Sequence, residues 1–218
     1  RPVLTVPVAK GCDMVVAQTR FDVDEAALAK HIGTLERILR GAHPDGQISG
    51  AADKAAVRAA LGRDLALVYF YCHGERSNAA DPDVYLSVGV DEAITATEFI
   101  GWLDVWRRRN HLRIWNTVRP LVFVNACHSA AVYPETLVSY LDAFVGRAHA
   151  AGVIGTEVKV HQDLAMAFAE RFFALLLGGA SVGDAMRTLR LEYLAQGNLF
   201  GLMYTPYCWS DLKLERAH

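Results

Sequence analysis

The sequence predicts one α/β domain, a three-layer α/β/α sandwich whose central sheet is mostly parallel and covered by helices on both faces. Apolar, β-rich runs alternate along the chain with helical patterns, the order that gives a parallel sheet between two helical layers. The two strongest runs, Leu65 to Tyr71 and Pro120 to Val124, are apolar almost without a break, as strands buried on both faces require. With 218 residues, 52% of them hydrophobic, the chain is long enough to bury such a core, and one domain over residues 1–218 is the expectation.

Taken in order, Met14 to Gln18 reads as a first strand and Asp24 to Arg40 as a helix, opened by the acidic pair Asp24-Glu25 that a helix N-terminus favours. The stretch from Gly41 to Gly50 holds four glycines or prolines and reads as a loop. A helix from Ala51 to Leu61 leads into the strand Leu65–Tyr71. Glu75 to Asp83 is polar and turn-like, Val84 to Val88 returns as the second arm of a hairpin, and Thr97 to Trp115 reads as helix. The second buried strand then ends at Asn125-Ala126-Cys127. A helix over Thr136 to Ala150 precedes a third strand, Ala151 to Gly155. A long helix from Asp163 to Leu177 stops at Gly178-Gly179, and another spans Val182 to Ala195. A last strand from Leu199 to Tyr204 completes the sheet.

A net charge of −2 gives no field that would draw the chain onto phosphate backbones or anionic membranes, so no direct nucleic-acid partner is expected. The basic run Arg107-Arg108-Arg109 with Arg113 reads as the solvated face of a helix that also carries Trp102, Trp106 and Trp115. Apolar runs are too short to span a bilayer, and the longest, Ala165 to Leu177, is broken by Glu170 and Arg171. No export signal is read at the start, and the opening Arg1 suggests a piece of a longer protein. The four cysteines, Cys12, Cys72, Cys127 and Cys208, are scattered, which is expected of reduced thiols in the cytoplasm.

In open α/β sheets reacting groups gather beyond the carboxyl ends of parallel strands, where the loops diverge. His73 and Cys127 each follow directly on one of the two strongest strands, 54 residues apart, and one strand-helix-strand excursion brings such positions to the same edge. A thiolate is the nucleophile in cysteine chemistry, and a neighbouring imidazole raises its fraction or takes the proton during attack. Gly74 lacks a side chain, so its N–H can approach a developing oxyanion, with the N–H of Cys127 as a second donor.

Other chemistries fit less well. Cys72-His73 and Cys127-His128 superficially suggest four zinc ligands, but adjacent residues leaving a strand point to opposite faces, so neither pair converges. The same alternation puts Cys72 with Phe70 and Val68 in the core. No Gly-x-Ser-x-Gly elbow and no glycine-rich phosphate loop after a strand occurs, and no metal or cofactor is required.

Tyr71-Cys72-His73-Gly74 and Val124-Asn125-Ala126-Cys127-His128-Ser129-Ala130 resemble the two catalytic motifs of the CHAT peptidase family, relatives of caspases and separases. Gly152-Val153-Ile154-Gly155-Thr156, Asp163, the helix with Phe168 to Leu177, and Ser181 to Arg187 follow in the family's order, so the resemblance runs from Leu65 to the end. It implies a caspase-like fold, a His73/Cys127 dyad, a protein substrate, attachment to repeat domains that sense or recruit a partner, and a role in bacterial defence such as activation of a gasdermin-like pore former. The family often carries a tryptophan soon after the position of Gly155-Thr156, where this chain has Glu157-Val158-Lys159. In folds of this kind the specificity pocket draws on the loop after that strand, so Glu157 or Asp163 is a candidate to select a basic side chain; Asp163 also suits the cap of the helix it opens. The competing reading is a catalytically silent binding or scaffold module with the same fold, and a further one is a Cys-His transferase or small-molecule hydrolase.

Overall fold

The computed structural model describes residues 4–8, 12–19, 24–78, 81–110, 114–126, 140–156 and 160–216. A six-stranded sheet forms the middle layer. Its strands are β2 (Asp13–Gln18), β3 (Gln47–Ala51), β4 (Leu67–Cys72), β8 (Leu121–Ala126), β9 (Gly152–Thr156) and β10 (Tyr204–Tyr207), in the order β10-β9-β8-β4-β2-β3. All neighbours run parallel except β10, which is antiparallel to β9.

Alternation along the central strands divides the core in two. Met14 and Val16 of β2, Leu67, Tyr69 and Tyr71 of β4, and Leu121 and Phe123 of β8 face one layer. That layer is built from α1 (Glu25–Ala42), α4 (Gln162–Leu177) and α5 (Val182–Ala195). Val15 and Ala17, Val68, Phe70 and Cys72, and Val122, Val124 and Ala126 face the other, against α2 (Lys54–Leu61) and α3 (Ala96–Asn110).

Local chemistry sets the helix ends. Asp24 accepts from the N–H groups of Ala26 and Ala27 at 2.9 and 3.2 Å, and Asp53 from Ala56 at 2.7 Å, which fixes the starts of α1 and α2. Ser181 caps α5 by accepting from the Asp184 N–H at 3.1 Å. Buried Leu28, His31, Leu35 and Leu39 make the inner stripe of α1. Gly178 ends α4, and Gly179 takes up φ +97°, a conformation open to glycine.

Several elements depart from the sequence expectation. Gln47–Ala51, read as loop, pairs in parallel with β2 as the sheet's edge strand β3. The hairpin gains an arm: β5 (Gly74–Asn78), β6 (Asp81–Val88) and β7 (Glu92–Thr95) form a three-stranded antiparallel sheet. Helix α3 is described as far as Asn110 and does not reach Trp115, which lies in a turn at φ 56°, fully buried against Phe99 and Phe144. Arg107 and Arg108 are exposed, and Arg107 donates to the Arg147 carbonyl. Leu199–Leu202 is a 3₁₀ turn, with the strand following at Tyr204. Of the helix expected over Thr136 to Ala150, residues 142–147 form a π-helical turn, and positions before 140 lie outside the described residues. Strand β1 (Thr5–Val8) pairs in parallel with β11 (Lys213–Arg216), joining two ends of the chain. No helix among the described residues is long and apolar enough to cross a membrane.

Candidate active site

The site is set by how β4 lies on β8. Their parallel register runs from Leu67 opposite Leu121 to Cys72 opposite Ala126, so both strands end at the same level. The next residue along one chain is His73 and along the other Cys127. Cys127 lies outside the described residues, as does Glu157.

His73 is half-buried, with its Nδ1 turned away from solvent. Its carbonyl accepts from the Ser87 N–H at 2.8 Å, which fastens the backbone just after β4 to β6. Gly74 is buried and opens β5, opposite Leu86 of β6. The histidine is thus held between the main sheet and the small antiparallel one.

Asp163 stands in the first turn of α4, well exposed, with an oxygen 3.6 Å from His161 Nδ1. His161 occupies the cap position and makes no side-chain capping bond, so the expected cap role of Asp163 is not realised; its carboxylate complements the helix dipole instead. The Ala165 carbonyl, two residues on, accepts from Asn125 Nδ2 at 2.8 Å, which seats this turn against the end of β8. Cys72 is buried in the core, as its alternation requires. Burial pushes the thiols of Cys12 and Cys208 up to about 12, with Asp13 adding to the effect at Cys12, so neither supplies a thiolate at neutral pH. Among the described residues no group of three or more His, Cys, Asp or Glu is arranged to hold a metal ion.

Sequence reasoning assigned no role to a buried polar cluster beneath the strand ends. His31 of α1, fully enclosed, pairs through Nδ1 with Glu170 of α4 at 2.7 Å and through Nε2 with the Tyr69 hydroxyl at 3.1 Å. Asn125 donates to the Tyr69 oxygen at 3.0 Å, and the Tyr204 hydroxyl donates to Asn125 Oδ1 at 2.8 Å. The available signal was an asparagine one residue before the end of an otherwise apolar strand.

The fold, with its mostly parallel sheet between two helical layers, is caspase-like. The chain belongs to the CHAT family: the family model of the CHAT domain matches residues 5–215, reaching well before the motifs that carried the resemblance in sequence. A protein from Vitiosangium sp. (strain GDMCC 1.1324), described as "Probable protease", is 40% identical over 159 residues, which make up 68% of this chain and 19% of that protein. The chain therefore matches about a fifth of that relative's length. Two solved structures share the fold. The Arg specific cysteine proteinase gingipain R superposes with a TM-score of 0.59 at 13% identity, covering 92% of this chain and 46% of that one. The Drosophila initiator caspase Dronc superposes with a TM-score of 0.54 at 12% identity, covering 94% and 82%.

Proposed function

We propose that this domain is a cysteine endopeptidase that cuts a protein substrate, with Cys127 as nucleophile and His73 as the base. The observation that carries it is the β4–β8 register, in which Cys72 faces Ala126 and the two dyad candidates come next on adjacent parallel strands. In the proposed reaction the Cys127 sulfur attacks the peptide carbonyl carbon, and the His73 imidazole passes the thiol proton to the departing amine. The N–H groups of Gly74 and Cys127 hold the oxyanion, and water then cleaves the thioester, restoring the thiol and releasing the acid.

Finer features rest on the family. An acidic side chain, Glu157 or Asp163, selects a basic residue before the cut; the seating of the first turn of α4 against β8 supports Asp163 in that role. The domain works inside a longer protein, whose repeat region or a separate partner controls activity, in keeping with the small share of the Vitiosangium protein that it matches. A cytoplasmic setting, a role in bacterial defence and a gasdermin-like pore former as the substrate complete the proposal.

The test is digestion of a proteome-derived peptide library by the wild-type chain and by Cys127→Ala, with new termini identified by mass spectrometry. Cuts made by the wild type alone establish the peptidase and its preference. No difference between the two, with and without candidate partners, supports a silent binding module.

A further inference from the structure

We infer that Asn125 is a positioning residue of the peptidase centre, fixing the end of β8, and with it the start of the Cys127 segment, through a buried chain of hydrogen bonds that runs Glu170–His31–Tyr69–Asn125–Tyr204. This rests on the reading of Cys127 as the nucleophile.

The chain lies where polarity is least expected. On the face of the sheet that meets α1, α4 and α5, β8 presents Leu121 and Phe123, and only its last inward position is polar. Asn125 is 0% exposed, Tyr69 0%, and His31 and Tyr204 1% each. Polar groups so buried cost free energy unless their bonds are made, and apolar side chains of similar shape would fill the space without that demand. What satisfied partners add is a single geometry.

The directions of the bonds are fixed by chemistry. The Ala165 carbonyl can only accept, so the amide nitrogen of Asn125 must face it, and the amide cannot be turned over. The second N–H then points at the Tyr69 oxygen, and Oδ1 receives the Tyr204 proton. With its oxygen accepting from Asn125, Tyr69 can donate to His31 Nε2, which places the imidazole proton on Nδ1, facing Glu170. A neutral His31 with its proton on Nδ1 is consistent with all of these bonds. Asn125 thereby ties β8 to β4, to the first turn of α4 and to β10, two positions before Cys127.

The experiment compares Tyr204→Phe, Tyr69→Phe and Asn125→Asp with wild type and with Phe99→Leu, a core change on the opposite face of the sheet. Measured are kcat and KM for a peptide found in the library digest, the rate of Cys127 alkylation by iodoacetamide against pH, and the denaturant midpoint. Expected are a fall in kcat of about 10- to 100-fold with little change in KM, and a displaced alkylation profile, in Tyr204→Phe and Tyr69→Phe that remain folded. Phe99→Leu should lose stability and keep both readouts. Profiles and kcat values within twofold of wild type in the folded network variants overturn the inference. If the wild type cuts no peptide, the peptidase reading fails on its own, and the alkylation profile alone decides for or against positioning.

Discussion

Cys72 and Ala126 lie opposite each other as the last paired residues of β4 and β8, yet Cys72 is sealed in the core while the next residue along each strand is a dyad candidate. On the proposed dyad, Cys72 is a core residue and Cys127 the nucleophile. Cys127→Ala should abolish peptide cleavage, and His73→Ala should lower kcat on the order of 100- to 10,000-fold, with little change in thermal midpoint. Cys72→Ala should keep kcat and cost about 1 kcal/mol in a denaturant titration.

Acid should weaken the fold through His31. Its imidazole is held below the ordinary 6.5, because burial disfavours the charged form more than the bond to Glu170 favours it; Tyr69 and Tyr71 are its other close ring neighbours. The unfolded chain thus binds a proton at a higher pH than the folded one. Stability from this group is full above pH 6.5 and is lost as pH falls toward the folded value, by up to about 1.4 kcal/mol per pH unit. Denaturant midpoints taken from pH 7.5 down to 5 should fall in wild type, and the His31 contribution should be missing in His31→Gln.

Gly152 has no room for a side chain. A Cβ there would lie 2.2 Å from Cys208 Cβ and 3.1 Å from the Tyr207 carbonyl oxygen, where β9 meets β10. Gly152→Ala should cost about 1–3 kcal/mol, and adding Cys208→Ala should not restore it, since the obstructing atom remains. Thermal melts of the single and double variants give the answer.

Phe123 holds the centre of the α1/α4/α5 face. Its ring lies 5.5–5.7 Å, centroid to centroid, from Tyr69, Phe172, Phe173 and Tyr204. Phe123→Ala should cost about 3–5 kcal/mol, measured by denaturant unfolding.

If Asp163 or Glu157 selects a basic residue, Asp163→Asn or Glu157→Gln should reduce kcat/KM about tenfold for substrates with Lys or Arg before the cut and leave apolar substrates unaffected. The paired assay on matched peptides separates selection from general damage.

The sequence made the layers and the two central strands legible because Leu65–Tyr71 and Pro120–Val124 are too apolar for any place but the middle of a covered sheet. The strand β3 escaped notice because Gln47-Ile48-Ser49-Gly50-Ala51 is an edge segment with little apolar pattern, paired on one side only. Leu199–Leu202 looked like a strand for its apolarity, but Asn198 accepts from the Phe200 N–H and starts a 3₁₀ turn instead. The dyad candidates could be read from two local motifs. The network beneath them could not, since His31 and Glu170 meet across 139 positions and neither lies in a motif.

The parallel pairing of β1 with β11 gives the domain a mechanical polarity. A pull applied at Thr5 toward the start of β1 and at Arg216 toward the end of β11 slides one strand along the other, loading the backbone bonds of the pair together instead of peeling them one at a time. Tension transmitted along a longer chain through these two segments would meet resistance first at this clasp, leaving the six-stranded sheet unstretched until it slips.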